Sequence, residues 1–145
     1  MAERAKSEEE LRRLSIEMRY LEQTAETLQQ RISMVNAAIT DISYANMTLD
    51  GIEAEKENAE LFVPIGGSSY VKVKLADSNK VIIGLGSGVS IEKTLLDARV
   101  TLKERLDELE KTMNSAQQQF TQVAERINSG RSRLETLLGA REGKP

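Results

Sequence analysis

The sequence predicts a mainly α fold with a small β insert: a long antiparallel two-helix coiled coil with two central β-hairpins. Three observations carry this expectation. Apolar residues recur every 3.5 positions over 8–52 and again over 91–138, and the segment between them alternates with period 2. Aromatics make up only 3% of the chain, little bulk for an ordinary globular core. The 145 residues suit one protomer, 1–145, of an assembly.

The first stretch, 8–52, places Leu11, Leu14, Met18, Leu21, Ala25, Leu28, Ile32, Val35, Ile39 and Ile42 at alternating steps of three and four. That is an a/d heptad seam, which single short helices rarely sustain. Ser7 followed by Glu10 fits a capping box at its start, and Gly51 is a plausible stop. The last stretch, 91–138, repeats the pattern with Leu95, Ala98, Leu102, Leu106, Leu109, Met113, Ala116, Phe120, Val123, Ile127, Gly130, Leu134 and Leu137. Ser90 is its expected N-cap, Glu92 complements the helix dipole, and Gly139 closes it.

Each helix, roughly 70 Å long at ~1.5 Å per residue, has one apolar stripe and so needs a partner. The other helix, antiparallel, is the simplest one. If facing positions sum to 148, Leu11 meets Leu137, Leu14 meets Leu134, Met18 meets Gly130, Leu28 meets Phe120 and Ile32 meets Ala116. Heptads align modulo seven, so the coincidence of the breaks says more. The first seam slips at Ile42–Ala45 and the second at Ala98–Leu102–Leu106, at the same height, and from there the sum becomes 147.

Between the helices, Leu61, Val63 and Ile65, then Val71, Val73 and Leu75, then Val81, Ile83 and Leu85, and finally Val89 and Ile91 read as four strands within 60–91. Gly66-Gly67-Ser68, Ala76-Asp77-Ser78-Asn79 and Gly86-Ser87-Gly88 supply turn chemistry between them. Pro64 lacks an N–H, so the first strand is expected at an edge or paired on one side there. Two isolated hairpins are marginal in water, and their open edges template further pairing. The expectation is oligomerisation through the apolar face Val63, Ile65, Val71, Val73, Leu75, Val81, Ile83 and Leu85, rather than a monomer with its sheet folded back on its own coil.

Here the chain resembles a known family, prefoldin, in its α-class, archaeal-type subunits. The likeness is densest in ELFVPIGGSSYVKVKL, residues 60–75, and KVIIGLGSGVSIEK, residues 80–93. Phe62 and the doublet Gly66-Gly67 are local variants of the family pattern, and the helices match only in period and length. The resemblance implies a hexamer of two α-class and four β-class subunits, whose hairpins assemble into an intersubunit β-barrel platform bearing six coiled coils. It also implies an ATP-independent molecular chaperone that captures unfolded proteins and delivers them to a group II chaperonin.

Antiparallel helices joined through the hairpins put both termini at the far tip. Leu11, Leu14, Met18, Leu134, Leu137 and Leu138 are the expected client-binding residues there, because helix ends fray and bury their seam incompletely. Leu11, Leu14 and Leu134 read first as seam packing, and Met18, like Met34 and Met113, as core filling. Leu138, beside the seam, is the best placed to face outward. Arg131, Arg133, Arg141 and Lys144 are the charges available for a chaperonin contact.

Composition narrows the remaining classes. Without Cys or His there is no disulfide, thiolate or imidazole chemistry. A net charge of −3 argues against nucleic acid, including a tRNA-binding helical arm, and against an anionic membrane. Gly84-Leu85-Gly86-Ser87-Gly88 is G-x-G-x-G and lacks the GK[ST] of a phosphate loop, so it reads as a hairpin turn. No enzyme, metal site or cofactor is expected. No secretory or membrane segment is visible, so the expected location is cytoplasmic. The alternative function is a structural coiled-coil scaffold without client-holding activity.

Overall fold

The computed structural model describes residues 2–142. The element order is α1 (Ala2–Glu53), β1 (Glu60–Gly66), β2 (Ser69–Lys74), β3 (Lys80–Gly86), β4 (Val89–Thr94) and α2 (Leu95–Glu142). The chain divides into two compact units. One joins the helix segment up to Ala37 to the segment from Lys111 onward, and the other is Ala38–Glu110.

The helix ends correct the sequence reading. α1 begins at Ala2, so Ser7 lies inside it; Ala2, Glu3, Arg4, Ala5 and Lys6 are good helix formers, and extension through them is easy. Gly51 is also inside α1, tolerated at a cost of about 1 kcal/mol relative to Ala. Ser90 and Glu92 belong to β4, where they pair with Gly84 and Ile82. The N-cap of α2 is Thr94, whose hydroxyl accepts the Asp97 N–H at 3.2 Å, with Asp97 itself the acid of the first turn. α2 continues past Gly139 to Glu142.

In the unit built from the two helix segments, the expected seam is the packed one. Met18, Leu21, Leu28, Ala116 and Gly130 are buried, and Leu11, Leu14, Ala25, Ile32, Val35, Met113, Phe120, Val123, Ile127, Leu134 and Leu137 are half-buried. Off the seam, Ile16, Tyr20 and Met34 are exposed, which corrects the expectation that Met34 fills the core: it lies one position before the seam residue Val35. The register is anchored where a Cβ on Gly130 would overlap the Met18 sulfur, which is the predicted pairing of a large residue with a small one. Ion pairs flank it. Glu10–Arg133 (2.8 Å) and Glu17–Arg126 (3.3 Å) each sum to 143, and Glu22–Arg131 (3.9 Å) sums to 153. They lie five below and five above 148, as positions bordering an antiparallel seam must. These pairs are solvent-exposed, so they select register more than they add stability.

In the other unit, Leu49, Leu95, Ala98 and Leu102 form a core with Ile83, and Ile42, Ala45, Ile52 and Val81 pack around it. Arg99 reaches from α2 to Asp50 (2.7 Å) and Glu53 (2.6 Å) on α1. Its hydrogen bond to Asp50 and the nearby Glu53 charge raise its pKa above the usual arginine value. The Glu53–Arg99 pair sums to 152, five above 147, which agrees with the one-residue change of phase.

Gly130→Leu should lower stability by about 1–3 kcal/mol, because Met18 already fills the space. The swap Met18→Ala with Gly130→Leu should recover most of the loss. Thermal melting of the four variants of this cycle measures the coupling.

Candidate functional site

The four strands form two separate two-stranded antiparallel sheets, β1–β2 and β3–β4. In the first, Leu61 faces Val73 and Val63 faces Val71; in the second, Val81 faces Lys93 and Ile83 faces Ile91. Gly66, Gly67 and Ser68, and likewise Gly86, Ser87 and Gly88, all have positive φ, so each turn uses glycine where an L side chain is strained. Asp77 accepts the Asn79 N–H at 2.9 Å in the link between the hairpins. Beyond the end of β2, Leu75 exchanges backbone hydrogen bonds with Ala59 (2.9 Å) and Asn58 (2.7 Å), which extends the first hairpin to the end of its ladder.

The eight residues expected to mediate assembly do not share one fate. Val63, Ile65, Val71 and Leu85 are exposed, and Val73, Leu75 and Val81 are half-buried. Ile83 corrects the expectation: it is 7% exposed and part of the chain's own core, with Val81 packed against the same core. The second hairpin is therefore docked on its coil. Arg105 strengthens this by donating to the Gly84 carbonyl, and Lys93 Nζ donates to Thr101 Oγ1 at 2.8 Å. The opposite sheet faces hold apolar residues that the alternation had assigned to solvent. Phe62, Tyr70 and Ile82 are 70%, 64% and 75% exposed. Their size, not their periodicity, is the signal that could have singled them out.

At the ends of the helix pair, Leu11, Leu14, Leu134 and Leu137 are half-buried and Leu138 is exposed. Met18, expected to fill the core though also among the expected tip residues, does fill it. It is buried over Gly130 and serves the seam. Leu14 forms part of a groove of about 450 Å³ whose other walls are Lys6, Glu9, Glu10, Arg13, Glu17 and Arg133. Arg131 and Arg133 pair across the coil with Glu22 and Glu10 in exposed ion pairs that help select the register. The Arg141 side chain and Lys144 lie outside the described residues. Among the described residues no carboxylate cluster suits a metal ion, and no helix is long and apolar enough to cross a membrane.

The family model of prefoldin subunits matches residues 21–139. The chain belongs to the prefoldin family. Curated α subunits are among the proteins similar to it. The prefoldin subunit alpha of Methanococcoides burtonii is 31% identical over 93% of this chain and 95% of its own. That of Methanosarcina mazei is 34% identical over 91% and 92%, and that of Pyrococcus horikoshii is 30% identical over 85% and 84%. The fold is also that of solved prefoldin chains. Filamentous PFD from Methanocaldococcus jannaschii aligns with a TM-score of 0.67 at 20% identity, covering 77% of this chain and 93% of that one. The prefoldin beta subunit from Thermococcus strain KS-1 aligns at 0.59 and 16% identity, covering 88% and 90%. Two long helices with two small antiparallel hairpins between them thus match the prefoldin fold.

The split between docked and free strand residues is measurable within this prefoldin chain. Ile83→Ala should cost about 2–4 kcal/mol, because it opens a cavity in the core it shares with Leu49 and Leu95. Ile82→Ala, one residue away on the exposed face, should change stability by less than about 0.5 kcal/mol. Denaturant titration of both variants tests the contrast.

Proposed function

We propose that this prefoldin subunit assembles with β-class subunits through its hairpins. The assembled complex holds unfolded proteins at the ends of its coiled coils without ATP, and passes them to a group II chaperonin. The observation that carries the proposal is the incomplete burial of leucines where both helices end, with Leu138 40% exposed and Leu11, Leu14, Leu134 and Leu137 half-buried around it. A leucine gains roughly 1.5–3 kcal/mol on full burial and less on partial burial, so a client's apolar segment is held weakly at one such end. Several coils gathered by one platform hold the same client through avidity. This is why the exposed residues Val63, Ile65, Val71 and Leu85, with the half-buried Val73 and Leu75, matter to holding as well as to assembly. The contacts involve side-chain area rather than sequence, which suits clients of many kinds, and the role suits the cytoplasm.

The test is suppression of aggregation by the assembled complex when a chemically denatured protein is diluted into buffer without ATP. Wild type should suppress light scattering. Leu137→Ser with Leu138→Ser should weaken suppression roughly tenfold, the scale of one lost leucine contact per coil. Native mass should be unchanged. A purely structural scaffold predicts no suppression by wild type, and a complex that falls apart in the double variant would make these leucines structural. Delivery is read separately, as transfer of labelled client to an added chaperonin.

A further inference from the structure

The ion pairs bordering the seam recur at a fixed spacing. Glu10–Arg133 and Glu17–Arg126, the two pairs whose numbers sum to 143, lie seven residues apart on each helix. Further steps of seven along the same border bring Thr24 to Gln119 and then Arg31 to Thr112. Arg31 therefore stands at a bordering position where the facing residue is a threonine instead of a carboxylate. Among the described residues, neither Arg31 nor Lys111, which precedes Thr112 on α2, takes part in an ion pair. By contrast Arg126, Arg131 and Arg133 each meet a glutamate across the coil.

The two cations line one groove of about 250 Å³ together with Thr112, Ser115, Ala116 and Gln119. No carboxylate lines it, whereas the groove around Leu14 has Glu9, Glu10 and Glu17 among its cations. Thr112 and Ser115 bring hydroxyl groups, and the Gln119 amide nitrogen lies 3.5 Å from Ser115 Oγ. Ala116 is a buried seam residue, small enough to leave room between its longer neighbours. A carboxylate is planar and is satisfied by the guanidinium fork of an arginine alone. A phosphoryl group carries more oxygens and up to two charges, which matches two cations supplemented by hydroxyl and amide donors. Two cations are too few to follow a nucleic-acid backbone, where affinity comes from many phosphate contacts.

We propose that the groove between Arg31 and Lys111 binds a phosphoryl oxyanion, as free phosphate or as one unit of a short phosphate chain. Arg31 and Lys111 supply the charge, and Ser115 and Gln119 orient the oxygens left over. The bound anion takes the place of the carboxylate that Thr112 does not provide, so it joins α1 to α2 at this height. The site lies off the seam and away from the hairpins, and it is independent of client holding and of assembly.

The test titrates the full-length chain at low ionic strength with inorganic phosphate, with tripolyphosphate and with acetate, followed by calorimetry. Wild type should bind phosphate or tripolyphosphate saturably and more tightly than acetate. Tighter binding of tripolyphosphate assigns the site to a phosphate chain, and equal binding assigns it to a single group. Arg31→Gln and Lys111→Gln should each weaken binding roughly tenfold, the scale of one charge-assisted contact. Lys103→Gln, which removes an exposed cation outside the groove, should leave binding unchanged. Thr112→Glu supplies the missing carboxylate and should abolish binding while melting no lower than wild type. Absence of saturable binding by wild type, acetate binding as tightly as phosphate, or an equal loss in Lys103→Gln would each overturn the proposal. So would glutamine variants at Arg31 and Lys111 that bind as wild type does.

Discussion

Each long helix carries one apolar stripe that its own backbone cannot cover, and the rest of the structure answers that constraint. The stripes bury each other antiparallel, with Met18 filling the space that Gly130 leaves. Charged residues then border the seam on both sides, and Glu10–Arg133, Glu17–Arg126 and Glu22–Arg131 fall where this register predicts. Exposed ion pairs contribute little stability individually, but a slip of one heptad would disrupt them together with the Met18–Gly130 fit. Register is thus supported by agreement between packing and charge.

In the Ala38–Glu110 unit the same constraint is met differently. The seam is joined by a third layer, the second hairpin, through Ile83 and Val81. Arg105 and Lys93 hold that hairpin by hydrogen bonds to Gly84 and Thr101. The first hairpin has exposed residues on both faces, Phe62 and Tyr70 on one and Val63 and Val71 on the other. Two strands cannot bury both faces by themselves, so this surface calls for other strands. The two hairpins share one backbone plan, and differ in how much of each is already covered by the chain.

The seams, the change of phase and the four strands were legible because each is a periodicity, and periodicity survives in sequence even when the partner is unknown. Helix ends were less legible. Ser7 and Ser90 carry good capping chemistry, yet helix-forming residues before Ser7 and the strand register around Ser90 decide the boundaries. The candidate sites were legible as sets but not residue by residue. Ile83 and Leu85 look alike in an alternating strand, and only the position of the coil separates the buried one from the exposed one. Met18 likewise belongs to the tip by numbering and to the core by its fit over Gly130. Arg99 and Arg105 were missed because a lone arginine in a charged helix gives no sign of a partner brought near by folding.

Under the proposed function, the leucines at the helix ends face a compromise that assembly through the hairpins would relieve. Leu11, Leu14, Leu134 and Leu137 sit at seam positions, so every increase in their burial would tighten the coil and withdraw surface from a client. Every increase in their exposure would loosen the helix ends and invite aggregation between tips. Half-burial keeps each end weak, since a partly covered leucine gains only a fraction of its full transfer energy. Under that function, weak ends would hold a client only when several act on it together, and their number would be set by the strands that mediate assembly. The strength of holding would therefore depend on hairpin chemistry, at Val63, Val71 and their neighbours, as well as on the leucines at the helix ends.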